Sequence, residues 1–380
     1  MFRRCSHLGW LFGLTIWTWL AGISSHCPAE SRVGIFSDQT NLVTNRVLEQ
    51  VQLRLLDAPE LKLVPFLETE QARRNTPELL QTQTAYERAS LLGTALDLDL
   101  VMQMEYVTGR AEPAGFWLRD GRTGSLLDTS SLPQSRPDEI AARLFQSLTQ
   151  GMSKRTSDKV QTIAFAGVTS SGLAKSQMSA ADAFLTALQQ RLAGSPGLIL
   201  APMVSPRELL SNPELAESRN LNVIASLTLA SQDSEVSTSV KLRTPQLSAL
   251  GETEVTGTGL NVALIQSVAN AVCKTLEVAP PPTTVEPRVF AQRYTQEAQY
   301  WWGQKELGPA IQAAETALLF EPDRLETVSL LAEILLSDEV LNQLNAQGVG
   351  PGKGSLRWTR EEVEQFLTRG IELEAKWLTS

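Results

Sequence analysis

Apolar residues recur along this chain with two spacings, and both spacings return later in the sequence. Val47, Leu48, Val51 and Leu55 stand one, four and eight residues apart, which puts them on one face of a helix. The pattern reappears 137 positions on, at Phe184, Leu185, Leu188 and Leu192. Each helix runs into a break, Asp57-Ala58-Pro59 or Gly194-Ser195-Pro196, because proline cannot continue a helix and glycine accepts a left-handed cap. Alternation then takes over in Leu61-Lys62-Leu63-Val64 and Leu198-Ile199-Leu200-Ala201, the period of a strand. Seven of the fifteen positions in Val51–Pro65 and Leu188–Pro202 are identical without a gap: Gln52/Gln189, Arg54/Arg191, Leu55/Leu192, Pro59/Pro196, Leu61/Leu198, Leu63/Leu200 and Pro65/Pro202.

The neighbouring stretches extend the match. Arg32–Phe36 and Thr162–Ala166 read as initial strands, and Asp97–Met104 and Asn220–Leu227 as buried strands. Two further strands follow in each case, Gly115–Leu118 with Ser125–Asp128 and Val236–Leu242 with Gly251–Thr258. A closing helix then follows, Asp138–Met152 or Val262–Leu276. Strand, helix and strand joined by short connections imply a mixed sheet with helices on one or both faces. The expected fold class is therefore α/β (α+β), with tandem repeat domains carrying mixed sheets over residues 30–155 and 156–278.

Residues 279–287, with four prolines in nine positions, predict an extended, semi-rigid spacer. Beyond it the pattern is helical over 288–380. Tyr294, Ala298, Trp301, Ala310, Ala317 and Pro322 fall on the positions of a 34-residue tetratricopeptide repeat, while Glu297 and Ala314 depart from it. A second repeat starts over Leu325–Leu336 and gives way to the glycine-rich stretch Gly348–Gly354. Thr359 with Glu362 three residues on forms a capping box for a last helix. One repeat cannot bury its own face, so the terminal helices are expected to complete a short stack, an all-α helical repeat module.

The amino terminus changes what chemistry is available. Two arginines, an uncharged run from Leu8 to Ile23 and a polar stretch ending Cys27-Pro28-Ala29 make a secretory signal peptide over residues 1–29. Cleavage after Ala29 is the expectation, with an uncleaved anchor as the alternative, and the location is periplasmic or secreted. Cleavage would remove His7 and His26, the only histidines, and leave Cys273 as the only thiol. Imidazole-based dyads and His/Cys metal or haem sites then have no residues to be built from, and no internal disulfide can form. Loss of Arg3 and Arg4 takes the formal charge from −9 to −11. A surface so acidic repels phosphate backbones, so nucleic acid is not expected as a partner.

Several motifs invite a chemical reading. Asp120, Gly121, Arg122 and Gly124, in Trp117–Asp128, resemble an anion cradle. The corresponding Val240–Glu252 keeps Leu242-Arg243 and Ser248 but has Pro245 in place of the glycines, so both stretches read as hairpin turns. Asp97 and Asp99 have the look of paired carboxylates, yet Asn220 and Asn222 take their places in the second match, which favours capping of the strand start. Gly348–Ser355 fails the phosphate-loop pattern at Gln347 and Gly354. Tyr300-Trp301-Trp302 has the look of a sugar-stacking platform, but Trp301 falls on the repeat core and Trp302 on a neighbouring face, where a ligand or partner role is the lesser alternative. Cys273 lies among Val268, Val272 and Leu276 and reads as a buried, inert thiol. No catalytic, cofactor-binding or metal residue is assigned.

Strand, amphipathic helix and strand ending at Pro65, then Leu92-Gly93, Asp97–Met102 and Leu118–Leu127, resemble the αβ domain of the curli-secretion protein family and the amino-terminal domain of the TolB-like periplasmic proteins. The resemblance spans residues 31–152 and, more loosely, 158–277. It lacks the long alternating strand pair that would line a membrane pore. It implies an envelope protein acting through protein contacts, here joined to helices that in general bind partner proteins. The expected function is a non-catalytic, exported scaffold or adaptor engaging a protein partner through residues 288–380. The alternative is a carboxylate-only hydrolase acting on envelope or extracellular glycans, which needs two acids about 5 to 9 Å apart in one cleft.

Overall fold

The computed structural model describes residues 30–37, 41–76, 85–106, 111–113, 115–132, 135–173, 175–212, 214–232, 235–281, 287–338, 340–342 and 358–379. The expected signal peptide, the glycine-rich stretch Gly348–Gly354 and most of the proline-rich segment lie outside these residues.

The first half of the αβ part runs β1 (Ser31–Ser37), α1 (Leu42–Leu55), β2 (Leu61–Leu63), α2 (Phe66–Asn75), α3 (Ala85–Leu96), β3 (Leu100–Glu105), β4 (Gly115–Asp120), β5 (Leu126–Ser131) and α4 (Pro137–Thr156). The second half runs β6 (Gln161–Ser171), α5 (Lys175–Ala193), β7 (Leu198–Leu200), α6 (Pro206–Ser211), α7 (Glu214–Ser218), β8 (Val223–Gln232), β9 (Glu235–Arg243), β10 (Ala249–Gly257) and α8 (Val262–Thr275). The remaining elements are α9 (Pro287–Gly303), α10 (Leu307–Phe320), α11 (Leu325–Leu335) and α12 (Arg360–Thr379). The fold is mixed α/β.

Local chemistry sets the ends of these helices. Asn41 caps α1 by accepting the Thr44 N–H at 2.8 Å, and Asn261 caps α8 by accepting the Leu264 N–H at 2.9 Å. Thr359 and Glu362 bond reciprocally, 2.7 and 3.3 Å, and start α12 as the capping box requires.

Instead of separate sheets, all ten strands join in one, in the order β10-β9-β8-β6-β7-β5-β4-β3-β1-β2. From β5 outward the order is 5-4-3-1-2, and from β10 inward it is the same series raised by five. The halves meet where β5 pairs antiparallel with β7, Leu126 opposite Leu200. Within each half the strand directions match: β1 is parallel to β2 and β3, and β6 to β7 and β8, while the later strands alternate.

That junction decides which faces the helices cover. Both halves read in the same order across the sheet, yet antiparallel pairing reverses their strand directions, so the second half is turned over relative to the first. Side-chain packing follows. Phe116 and Leu118 point into the core beneath α1 and α4, while Trp117 between them packs into the core of the second half with Phe184 and Leu188 of α5. Leu198 and Leu200 lie in that second core, and Ile199 between them packs against the first. The opposite face of each half is covered by shorter elements, α3 with Ala89 and Leu92 over Val101, and α6 with Leu209 over Ile224. Each half thus presents helices on both faces, and the large helices alternate sides.

From 287 onward the described elements are all helices. Phe290, Ala291 and Tyr294 of α9 and Ala317, Leu319 and Phe320 of α10 belong to the second half's core. The segment expected as a spacer begins docked: the Ala279 carbonyl accepts from Ser195 Oγ at 2.6 Å and the Pro281 carbonyl from Arg191 at 3.3 Å. Arg191 of α5 and Ser195 just past its end use these carbonyls, and Pro281 has no N–H of its own to satisfy. Ala298, Ala310 and Ala314 with Leu331, Ile334, Trp358 and Val363 form a further cluster that binds α9 to α12 together.

Candidate functional site

The hairpin between β4 and β5 is built around Asp120, which is only 7% exposed. Its Oδ1 accepts from the N–H groups of Arg122 and Thr123 at 2.9 and 2.7 Å, and its Oδ2 from Arg155 Nε at 2.8 Å. Arg155 also reaches Asp99 at 2.8 Å, so one guanidinium lies between two carboxylates. Arg122 is 70% exposed at its side chain and stands 3.4 Å from Asp99. The cluster is a closed set of charge-assisted bonds that fixes the hairpin against α4.

Its glycines serve two purposes, and only Gly124 has the positive φ expected of a turn, +70°. A Cβ on Gly121 would stand 2.1 Å from the Leu98 carbonyl oxygen, and one on Gly93 would stand 1.8 Å from the Gly121 oxygen. Helix α3 therefore approaches the hairpin through two bare backbones, a contact that the turn reading alone did not anticipate. In the second half the expected bend at Pro245 is present, but the left-handed residue is Leu247, φ +65°. The Thr244 N–H donates to the Ser248 carbonyl at 2.8 Å as the Asp120 N–H donates to the Ser125 carbonyl at 2.9 Å in the first half.

Asp97 and Asp99 do separate jobs. Asp97 has φ +51° and Asn220, its counterpart, +50°. Each ends a helix: Leu98 N–H returns to the Gly93 carbonyl at 2.7 Å and Leu221 N–H to Ala216 at 2.9 Å, a Schellman cap. Asp and Asn tolerate this left-handed region better than other side chains. Asp99 Oδ2 accepts the Arg32 N–H at 3.1 Å, as Asn222 Oδ1 accepts the Thr162 N–H at 2.7 Å. That is the strand-start capping read from the sequence, and it joins β1 to β3 and β6 to β8.

Buried ionisable groups lie at the junction of the halves. Lys154, 5% exposed, donates to the carbonyls of Leu127 on β5 and Ala193 at the end of α5, at 2.5 and 2.7 Å. Burial lowers its pKa to about 8, against the raising influence of nearby Asp128. Burial raises the Asp128 carboxyl, with Lys154, the Ser147 hydroxyl at 2.7 Å and the Thr129 N–H opposing it. Cys273 is fully buried. Burial pushes its thiol pKa up while Ser195 and Arg191 pull it down, the behaviour of a packing thiol rather than a nucleophile.

In the carboxy-terminal helices Trp301 packs against the local core as expected. Trp302 is half-buried like Trp301 and packs against the same core, its Nε1 donating to Glu333 of α11 at 3.1 Å. The open member of the trio is Tyr300, 60% exposed. Helix α12 packs through Val363 and Phe366 and then runs on, with Ile371 and Trp377 68% and 66% exposed. Trp358 Nε1 donates to the buried Glu315 at 2.7 Å and ties the start of α12 to α10.

Among the described residues no three His, Cys, Asp or Glu side chains gather as a metal would require, and no helix is long and apolar enough to cross a membrane. No family model, no curated protein and no solved structure matches the chain, so its activity has to be argued from these residues.

Proposed function

We propose that the protein is an exported, non-catalytic scaffold of the cell envelope that works through protein contacts. In this reading two copies of one αβ unit form a rigid sheet, and a short stack of tetratricopeptide-like helices mounted on the second copy engages a partner protein. Duplication is supported by the matching strand orders and by the left-handed pair Asp97 and Asn220. The repeat reading of the helices is supported by Ala298, Ala310 and Ala317, each fully buried on a small-residue position. Periplasmic or secreted location rests on the sequence of residues 1–29, and the resemblance to the curli-secretion and TolB-like proteins agrees with it.

The observation that carries the partner reading is the outer part of α12, where Ile371 and Trp377 stand two-thirds exposed. Both are large apolar side chains set among the charged Glu372, Glu374 and Lys376, and a partner covering this end of the helix would take them out of water. Against a carboxylate-only hydrolase stands the arrangement of Asp99 and Asp120, both tied to Arg155 and to backbone N–H groups. The test is crosslinking in the intact envelope with the full chain and with Tyr300→Ala and Trp377→Ala. The proposal expects a partner captured by the natural chain to be lost from at least one variant. Capture of the same proteins by all three would contradict it.

A further inference from the structure

We propose that the two free edges of the sheet are the two sides of a head-to-tail joint between copies of this chain, held open by three charged side chains. The inference goes beyond the adaptor reading and stands without it. Such a joint already exists once inside the molecule, where β5 of the first half receives β7 of the second.

The free edges are the positional counterparts of that joint. In β4–β5, Leu118 faces Asp128 and Arg119 faces Leu126. In β9–β10, Leu242 faces Gly251 and Arg243 faces Ala249, with the register irregularity at the same step. Ala249 therefore occupies the place of Leu126, and Leu250 that of Leu127. On the other side Val33 pairs with Leu63 as Ile163 pairs with Leu200, so Leu63 occupies the place of Leu200. If the internal joint were repeated between two molecules, Ala249 of one would face Leu63 of the next. Among the described residues neither β10 nor β2 has a strand on its outer side.

Exposure agrees with an unused joint. Leu127 is fully buried, whereas Leu250 is 49% exposed; Ala193 is fully buried, whereas Leu56, 137 residues before it, is 75% exposed. What differs is charge. Continuing the internal register puts Lys62 where Ile199 packs against the first core, and Glu60 opposite Glu252 where Gly197 would meet Thr129. Lys62 is held by Glu30 at 3.2 Å, and Glu252 by Ser239 at 2.8 Å and Lys241 at 3.6 Å. Docking would strip these groups of water and set two carboxylates face to face. Charges placed this way are how exposed strand edges resist pairing with further chains. A joint of this kind is heterologous, so without them it would continue into open chains of molecules rather than stop at a dimer.

The test compares the full natural chain with a chain carrying the internal counterparts, Glu60→Gly, Lys62→Ile and Glu252→Thr, by sedimentation velocity over a concentration series. The proposal expects species beyond the dimer from the variant, at a concentration at least about tenfold below any assembly of the natural chain. Ala249→Cys and Leu63→Cys chains, mixed in the variant background under mild oxidation, should link to each other. Facing residues of antiparallel strands lie within disulfide range. If the triple variant does not fold, Glu252→Thr alone, on an exposed edge, has to move assembly in the same direction. Assembly of the natural chain and the variants at the same concentrations, or linkage of Ala249→Cys chains only to themselves, would overturn the proposal.

Discussion

Single residues in this molecule carry backbone conformations that their side chains suit unequally. Asp97 and Asn220 sit in the left-handed region at helix ends where a short polar side chain costs little. Leu247 sits there too, φ +65°, with a branched side chain that does not suit it. Leu247→Gly is expected to raise stability by about 0.5–1 kcal/mol, the left-handed strain relieved less the entropy that glycine adds to the unfolded chain. Equilibrium urea unfolding measures it, and an unchanged or lowered midpoint would mean that the turn is not strained. At Asp99 the second half offers its own control, since Asn222 makes the equivalent bond without charge. Asp99→Asn should keep the Arg32 N–H satisfied and cost under about 1 kcal/mol, whereas Asp99→Ala should cost roughly 1–3 kcal/mol. Equal losses from the two variants would show that the ion pair with Arg155, not the strand cap, is what matters. The capping role could be read in the sequence because Asp becomes Asn at both places while the spacing is kept. The left-handed backbone at Asp97 could not be read, since nothing in Leu-Asp-Leu-Asp says which aspartate ends the preceding helix.

At the scale of elements, Lys154 links the end of α4 to β5 and α5. Its folded pKa near 8 lies below the ordinary 10.5, so between these values the unfolded chain binds more protons than the folded one, and stability rises with pH. Below pH 8 the cost of holding a buried ammonium is present in full; above about 10.5 it is gone, a span of roughly 3 kcal/mol. Lys154→Met should remove this rise, and the difference between natural and variant urea midpoints from pH 7 to 10 isolates it from other titrations. A difference that stays flat over that range would mean that Lys154 is solvated as an ordinary lysine. Helices α1, α4, α5 and α8 were legible because their apolar faces repeat at helical spacing. Helix α2 was not: in Phe66–Asn75 only Thr69 is buried, so no stripe marks it. Gly93 and Gly121 gave no signal of their contact either, because a close approach between segments distant in sequence leaves no local pattern.

The whole molecule is organised by one junction. Repetition in the sequence pointed to two units with a sheet each, whereas all ten strands lie in one sheet whose order reads as one five-strand series and then the same series raised by five. What the sequence concealed is that the units share a sheet and bury side chains in each other. Trp117 looks like a hairpin residue of the first half but packs into the second, and Ile199 does the reverse. Nor did the prolines of 279–287 reveal that Ala279 and Pro281 would be held by Ser195 and Arg191. The end of α12 proposed as a partner face was legible only as a helix, since the exposure of Ile371 and Trp377 depends on which part of it the neighbouring helices cover. The described residues between 30 and 278 therefore form a single platform joined through β5 and β7. Native-state hydrogen exchange measured by peptide tests it most directly, because local opening reports stability region by region. In a joined sheet the amides of Leu126–Ser131 and Leu198–Leu200 are protected as strongly as those of β1 and β6. Fast exchange at these two strands, with β1 and β6 still protected, would contradict it and return the molecule to two separate sheets.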